Sequence, residues 1–351
     1  MKRVLIAPLD WGLGHASRCI PIVRELQRQG CEVILAGSGD SLILLQKEFP
    51  ALRSFTLPGY RPRYPREGSM VWTMARQLPR FIKVISAEYR ALERIIENES
   101  LDLIVSDNRY GCRSPKVRSI FITHQSNIMM PQRFRWLQDP VRALNEKTIN
   151  RFDHCWIPDF PGTHSLAGDL SFSGMLKTKT QYIGCLSRFV RRPPSAKKYN
   201  VVAVFSGPEP QRTILENIVV PQLTHSGLNY RVVRGLPALN TAPADERMVN
   251  FLSSDALQTC LEDAEVIIAR SGYSTVMDMH ALGQKVVLIP TPGQTEQEYL
   301  AKRLYEKGIA LYMKQNDFQL KNALEACSNF SGFSPLPANT RLPKAVASVL
   351  I

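Results

Sequence analysis

A chain of 351 residues, 44% hydrophobic and 21% charged, has the balance of a folded globular protein, which excludes extended disorder and is long enough for two compact domains. It has no apolar run of the roughly 18 residues that a membrane helix needs, and Met1-Lys2-Arg3 passes straight into a short apolar strand, which argues against a signal peptide and for a cytoplasmic protein. The net charge of +13 is uneven: residues 1–190 carry 27 Lys+Arg against 17 Asp+Glu, leaving 17 against 14 for the remainder, so the first half is the one suited to anionic lipid, phosphorylated substrate or nucleic acid.

In chain order, the apolar run Arg3 to Leu9 reads as a strand. It is followed by the turn Trp11-Gly12-Leu13-Gly14-His15 and by Ile22, Val23 and Leu26 at helical spacing. Gly30 closes that helix and Glu32 to Ala36 is the next strand. This is one βαβ unit. Leu103 to Val105 is a strand ending at Ser106-Asp107, and Ile120 to Thr123 is another, ending at His124-Gln125-Ser126-Asn127. Strands alternating with helices predict a parallel, doubly wound α/β sheet with ligands beyond the carboxyl ends of the strands. The composition of Arg191 to Tyr199 (RRPPSAKKY) suits an exposed connection. Val201 to Phe205, Tyr230 to Val233, Val266 to Ala269 and Val286 to Ile289 then restart the alternation. The expectation is two Rossmann-like domains facing across a cleft, residues 1–190 and 191–351, with the last residues, including the apolar run Val346 to Ile351, packing back onto another element.

Seven scattered cysteines, none in a CxxC pair or beside a histidine pair, read as reduced buried thiols without a metal site. The first turn, Gly12-Leu13-Gly14-His15-Ala16-Ser17, offers free N–H groups to an anion at a helix start. It is GxGxxS and not GxGxxG, and no acidic residue closes the second strand, which disfavours a nicotinamide enzyme. His15 lies in that turn at the expected cleft mouth and is a candidate base for an attacking hydroxyl; Asp107 is the competing base or the carboxylate that orients one. His124 and Asn127 are candidate substrate-facing groups or loop residues that satisfy backbone.

In the second half, Arg270-Ser271-Gly272-Tyr273-Ser274-Thr275 leaves a strand and opens a helix, supplying N–H and O–H donors to a diphosphate beside an arginine. Asp278, one turn in, is placed to reach a ribose hydroxyl or is a solvated carboxylate. The turn from Pro290 through Glu296, Gln297 and Glu298 can hold sugar hydroxyls, and Ser206-Gly207 forms a third turn at a strand end. Between Tyr60 and Arg90, basic residues alternate with Tyr60, Tyr64, Met70, Trp72 and Phe81, which suits an anionic membrane interface if the loop Pro58 to Ser69 is exposed. Val71, Met74, Leu78, Phe81 and Ile85 equally form an apolar stripe that packs inward.

Taken together these motifs resemble the GT-B glycosyltransferases, most closely the peptidoglycan N-acetylglucosaminyltransferase family that acts on a lipid-linked muramyl peptide. The Gly12–His15 turn is similar to that family's glycine-rich loop, HQSN to its HEQN, RSGYSTVMD to its RSGxxTVxE donor motif, and TEQEYLA to its DRQQYxNA segment; Ile183 to Arg188 lies where it has a VGNPVR-like run. The resemblance implies a nucleotide-sugar-dependent, inverting and metal-independent transferase, with a UDP-sugar as donor substrate and no further cofactor. It assigns Arg188 to the nucleobase or phosphate side, Ser206 and Gly207 to the phosphate loop, and Ser271 and Gly272 to the diphosphate. Asp278 stands where the family has the ribose glutamate, and Gln297 and Glu298 where it has paired glutamines on the sugar. Gly12, Gly14, His124 and Asn127 fall on the acceptor side, with His15 or Asp107 as base. No Asp-x-Asp triplet, the metal-binding signature of the other glycosyltransferase fold, occurs in the chain. The implied partners are a nucleotide sugar, a lipid-linked or cell-envelope glycan acceptor and an anionic inner membrane face, with no nucleic acid. A nucleotide-sugar hydrolase or 2-epimerase, and a noncatalytic nucleotide-sugar-binding subunit, are the alternatives.

Overall fold

The computed structural model describes residues 1–171, 176, 178–193, 196–335 and 339–350. Pro194 and Ser195, within the expected connection, and Ile351, at the end of the expected terminal run, lie outside the described residues. The first half runs β1 (Arg3–Pro8), α1 (Leu13–Arg28), β2 (Glu32–Gly37), α2 (Gly39–Glu48), β3 (Ser54–Thr56), α3 (Met70–Glu99), β4 (Leu103–Asp107), β5 (Arg118–Ile122), α4 (Gln138–Ile149), β6 (His154–Ile157) and β7 (Lys179–Tyr182). The second half runs β8 (Tyr199–Val204), α5 (Gln211–Thr224), β9 (Tyr230–Val233), β10 (Met248–Val249), α6 (Ser254–Glu262), β11 (Ala264–Ala269), α7 (Tyr273–Leu282), β12 (Val286–Leu288), α8 (Thr295–Glu306), β13 (Leu311–Tyr312), α9 (Leu320–Cys327) and α10 (Arg341–Leu350).

The strands form two wholly parallel sheets, in the orders β3-β2-β1-β4-β5-β6-β7 and β10-β9-β8-β11-β12-β13. Alternation along β1 explains why both faces are covered: Val4 and Ile6 pack with α1, whereas Leu5 and Ala7 pack with Leu92 and Ile96 of α3. All seven cysteines are buried and free. The last helix, α10, lies back on the first half, where Gln29 Nε2 donates to Pro343 O at 3.0 Å and Arg118 Nη1 to Val349 O at 2.9 Å.

In each sheet the strand order reverses once, between β1 and β4 and between β8 and β11, and such switch points open a crevice at the carboxyl ends. In register these ends pair Pro8 with Asp107 and Val204 with Ala269. The turns that leave them therefore face each other: a Cβ built on Gly12 (φ 112°) would come within 3.8 Å of Gly207 Cα.

Candidate active site between two switch points

The N-terminus of α1 brings His15 beside the end of β4. His15 Nδ1 lies 2.8 Å from Asp107 Oδ1. Asp107 has no exposed surface, and both of its oxygens accept from Arg18, Oδ2 from Nε and Oδ1 from Nη2. Burial opposes the Asp107 charge, but Arg18 and His15 outweigh it and hold the carboxyl at about 2. Burial is also the main influence on His15, which with the Arg18 charge holds its pKa below 6.5 and keeps the imidazole neutral near pH 7. Of the two base candidates, Asp107 is enclosed and fully engaged, whereas 18% of the His15 side chain remains exposed. When His15 Nδ1 donates to Asp107, Nε2 carries the free lone pair.

Across the cleft, α7 starts at the end of β11. The Val276 N–H is the first to bond back within the helix, to Gly272 O at 3.1 Å, so the N–H groups of Tyr273, Ser274 and Thr275 belong to the first turn, which has no intrahelical acceptors. The two helix starts approach closely, since a Cβ on Gly14 would lie 2.5 Å from Ser274 Oγ. Between them is a pocket lined by Leu13, Gly14 and Ser17 of α1, by Ser206, Ser274, Thr275, Asp278 and Arg188, and by an apolar wall that includes Phe205, Val233, Phe251 and Leu257. Asp278 is not a solvated carboxylate: it is 8% exposed, accepts from Ser187 Oγ at 2.6 Å, and burial raises its pKa. Arg188 Nε stands 3.7 Å from Asp278 Oδ2 and has no hydrogen-bond partner among the described residues. Burial lowers the Arg188 pKa, and its Nε is a buried donor open to an acceptor in the pocket.

Other expected residues lie elsewhere. Arg270 is 1% exposed and braces the second sheet: Nη1 donates to Ile289 O and Pro290 O at 3.2 and 3.1 Å, and Nη2 to Gln211 O and Gln315 Oε1, both at 2.6 Å. Strand parity is the cause. Ile267 and Ala269 line the pocket, so Arg270 continues the opposite face, that of Ile268. Ser271 is fully buried, with Oγ donating to Gln297 O at 2.8 Å. Gln297 is buried too, its Oε1 accepting from Thr291 N at 2.8 Å. Gly272 caps α7. Glu298 is exposed, accepts from Gly293 N at 2.8 Å and lines a separate groove with Asn127, away from the Arg188 pocket. Asn127 itself is a loop brace, donating to Asp169 O at 3.1 Å and accepting from Gln138 Nε2 at 2.6 Å.

The loop from Pro58 to Ser69 is not the free aromatic surface expected. Tyr60 and Tyr64 are buried, and the backbone is tied down by Arg109 Nη1 to Pro58 O at 3.0 Å, by Tyr60 N to Asp10 Oδ1 at 3.2 Å and, across the cleft, by Gln211 Nε2 to Pro65 O at 2.8 Å. Phe81, Met74 and Ile85 pack inward, but Leu78, expected with them, is exposed, as are Trp72 and Ile82.

Sequence reasoning missed Arg18. It follows His15 by three residues on α1, a spacing that puts the two on one helix face.

Residues 233–341 match the glycosyltransferase family 28 C-terminal domain. The fold is that of the GT-B glycosyltransferases. A solved relative in shape, the glycosyltransferase SnogD of Streptomyces nogalater, superposes with a TM-score of 0.61 over 99% of this chain and 98% of its own, at 16% identity. In sequence, the chain is 26% identical over 336 residues to an uncharacterized glycosyltransferase of Methanosarcina acetivorans, covering 87% of this chain and 84% of that one. It is 27% identical over 341 residues to the UDP-N-acetylglucosamine–N-acetylmuramyl-(pentapeptide) pyrophosphoryl-undecaprenol N-acetylglucosamine transferase of Exiguobacterium sibiricum, covering 90% and 87%. These similarities support glycosyl transfer as the class of activity. Among the described residues, no helix is long and apolar enough to cross a membrane.

Proposed function

We propose that this chain transfers a hexose or N-acetylhexosamine from a UDP-sugar to a lipid-linked or cell-envelope glycan, inverting the anomeric centre, with no cofactor or metal ion beyond the donor substrate. The observation that carries the reading is the neutral His15, held by Asp107 and open to the cleft, beside a pocket that both switch points build. His15 Nε2 takes the proton of the acceptor hydroxyl as its oxygen bonds to the anomeric carbon. The bond from that carbon to the diphosphate oxygen breaks, and the pair of electrons leaves on the diphosphate. The first-turn N–H groups of α7, the hydroxyls of Ser274 and Thr275 and the Arg188 guanidinium receive that charge. Asp278 is the ribose acceptor, and the apolar wall of Phe205, Val233 and Phe251 suits a nucleobase.

The acceptor assignment is supported by the pyrophosphoryl-undecaprenol substrate in the name of the Exiguobacterium relative and by the surface near α3. Trp72, Leu78, Ile82 and Trp136 are exposed together with Arg63, Arg66, Arg76, Arg133 and Arg135, and Trp72 meets Phe134 edge to face at 6.0 Å. Aromatic and basic groups in one region suit peripheral attachment to an anionic inner membrane face. Calorimetric titration with UDP, GDP, dTDP, ADP and NAD, without added metal, tests the donor: selective binding of UDP is expected, and binding of NAD alone would overturn the proposal.

A further inference from the structure

The reaction as drawn leaves Arg18, His124 and Glu296 without a task, yet they form one continuous polar chain with the base pair. Arg18 is 2% exposed. Besides its two bonds to Asp107, Nη2 stands 2.8 Å from His15 Nδ1 and Nη1 lies 3.0 Å from His124 Nδ1. A guanidinium has no acceptor, so His124 Nδ1, whose partner here is Arg18, must offer its lone pair and the ring hydrogen must sit on Nε2, whereas the His15 Nδ1 hydrogen goes to Asp107 Oδ1 and the approach of Arg18 Nη2 to that nitrogen is a contact without a hydrogen bond. Nε2 faces Glu296 Oε1 at 3.0 Å, and Gln125 Nε2 donates to Oε2 at 2.6 Å. Glu296 stands on α8 of the second domain; every other member belongs to the first.

We propose that Glu296, acting through His124 and Arg18, is a positioning residue that sets the His15–Asp107 pair only when the two domains are closed. This rests on His15 as the base, and it moves Glu296 from the sugar-binding role that its motif implies to one in orienting the base. The planar Arg18 fork cannot follow His124 without rotating off Asp107. Without Glu296, the His124 Nε2 hydrogen loses its acceptor in a buried site. The tautomer with hydrogen on Nδ1 then competes, and that hydrogen points at Arg18, which can only donate. The charged and titratable groups facing this chain are Asp107, His15 and Cys19, whose Sγ is 3.8 Å from Asp107 Oδ2, with Glu296 and Tyr64 on the far side and Tyr273 stacked on the His124 ring.

Long-range nitrogen–proton NMR spectra of ¹⁵N-histidine-labelled protein read the tautomers of His15 and His124 directly. Wild type is expected to show His124 as Nε2–H and His15 as Nδ1–H. Glu296→Ala is expected to give mixed tautomers at both rings, and Glu296→Gln, which keeps an acceptor oxygen for His124, to restore the wild-type pattern. In turnover assays Glu296→Ala is expected to lower kcat about tenfold with UDP affinity changed less than twofold. A His15 spectrum unmoved by Glu296→Ala, or disturbed equally by Glu296→Gln, overturns the proposal. Absence of UDP binding by wild type would instead strike the donor assignment and leave the NMR result standing.

Discussion

Gly14 and Ser274 meet across the cleft, where a Cβ at position 14 would sit 2.5 Å from the Ser274 hydroxyl oxygen. A side chain at position 14 therefore has to displace the Ser274 hydroxyl of the opposite domain. Gly14→Ala is expected to destabilise the closed protein by about 1–3 kcal/mol, the usual cost of overpacking. Adding Ser274→Ala should recover most of the loss, since the remaining neighbour, Ser274 Cβ, would lie at 3.4 Å. Urea unfolding of the single and double variants measures this, and equal losses in both would refute the contact.

Arg188→Ala and Asp278→Ala, each made singly, should weaken UDP binding by about 1.5–3 kcal/mol, the worth of a hydrogen bond to a charged group. Calorimetry gives the answer, and a UDP affinity unchanged in both variants would mean that the nucleotide binds elsewhere. Arg270→Met should behave differently. It strips donors from four acceptors in the second domain and is expected to lower stability by about 3 kcal/mol, with nucleotide affinity within twofold of wild type.

His15→Ala is expected to reduce turnover by about 10²–10⁴, the range for a lost general base, with UDP affinity preserved. Asp107→Asn should lose activity as well. It should also cost about 3–5 kcal/mol of stability by leaving the buried Arg18 charge uncompensated, a loss that His15→Ala should not share. Equal stability of the two variants in urea would contradict the arrangement around Arg18.

The pH dependence follows from the burial that lowers the His15 pKa, with Arg18 adding to it. The free-base form grows as pH rises through the folded value, so the acid limb of kcat/KM should have its midpoint below the 6.5 of an unperturbed histidine. Between that folded value and 6.5 the unfolded chain binds more protons, so His15 makes stability rise with pH across that window. Asp107 contributes its own rise of stability with pH between its folded value of about 2 and the unfolded carboxyl value of about 3.9. A midpoint above 7 would contradict the buried neutral imidazole.

Much of the architecture was readable because buried parallel strands are near-continuous apolar runs. Leu103 to Val105 and Val286 to Ile289 announce themselves, and each has a parallel strand on both sides. The short strand β3 and the edge strand β7 do not: Ser54–Thr56 has three residues and Lys179–Tyr182 reads KTQY. Pro79 lies inside the single helix α3, a residue that usually marks an end. In the site, His15, Asp107 and Asp278 follow from strand-end and helix-start positions. Arg18 and Glu296 derive their significance from partners 89 and 172 residues away, and no local pattern encodes such a distance. Arg270 was readable in principle, by counting two-residue parity from Ile268.

The first residue of the nucleotide-side helix is planted in the other domain. Tyr273 is 2% exposed, stacks on His124 with ring centres 4.2 Å apart and planes 8° from parallel, and donates through its hydroxyl to Pro158 O at 2.8 Å. The cleft cannot widen by gradual flexing while that phenol stays seated. Opening must withdraw it whole, breaking a ring stack and a buried hydrogen bond in one event, so the two halves have discrete docked and undocked positions rather than a continuum. Tyr273 is thus a latch between the two halves, seated in full or not at all.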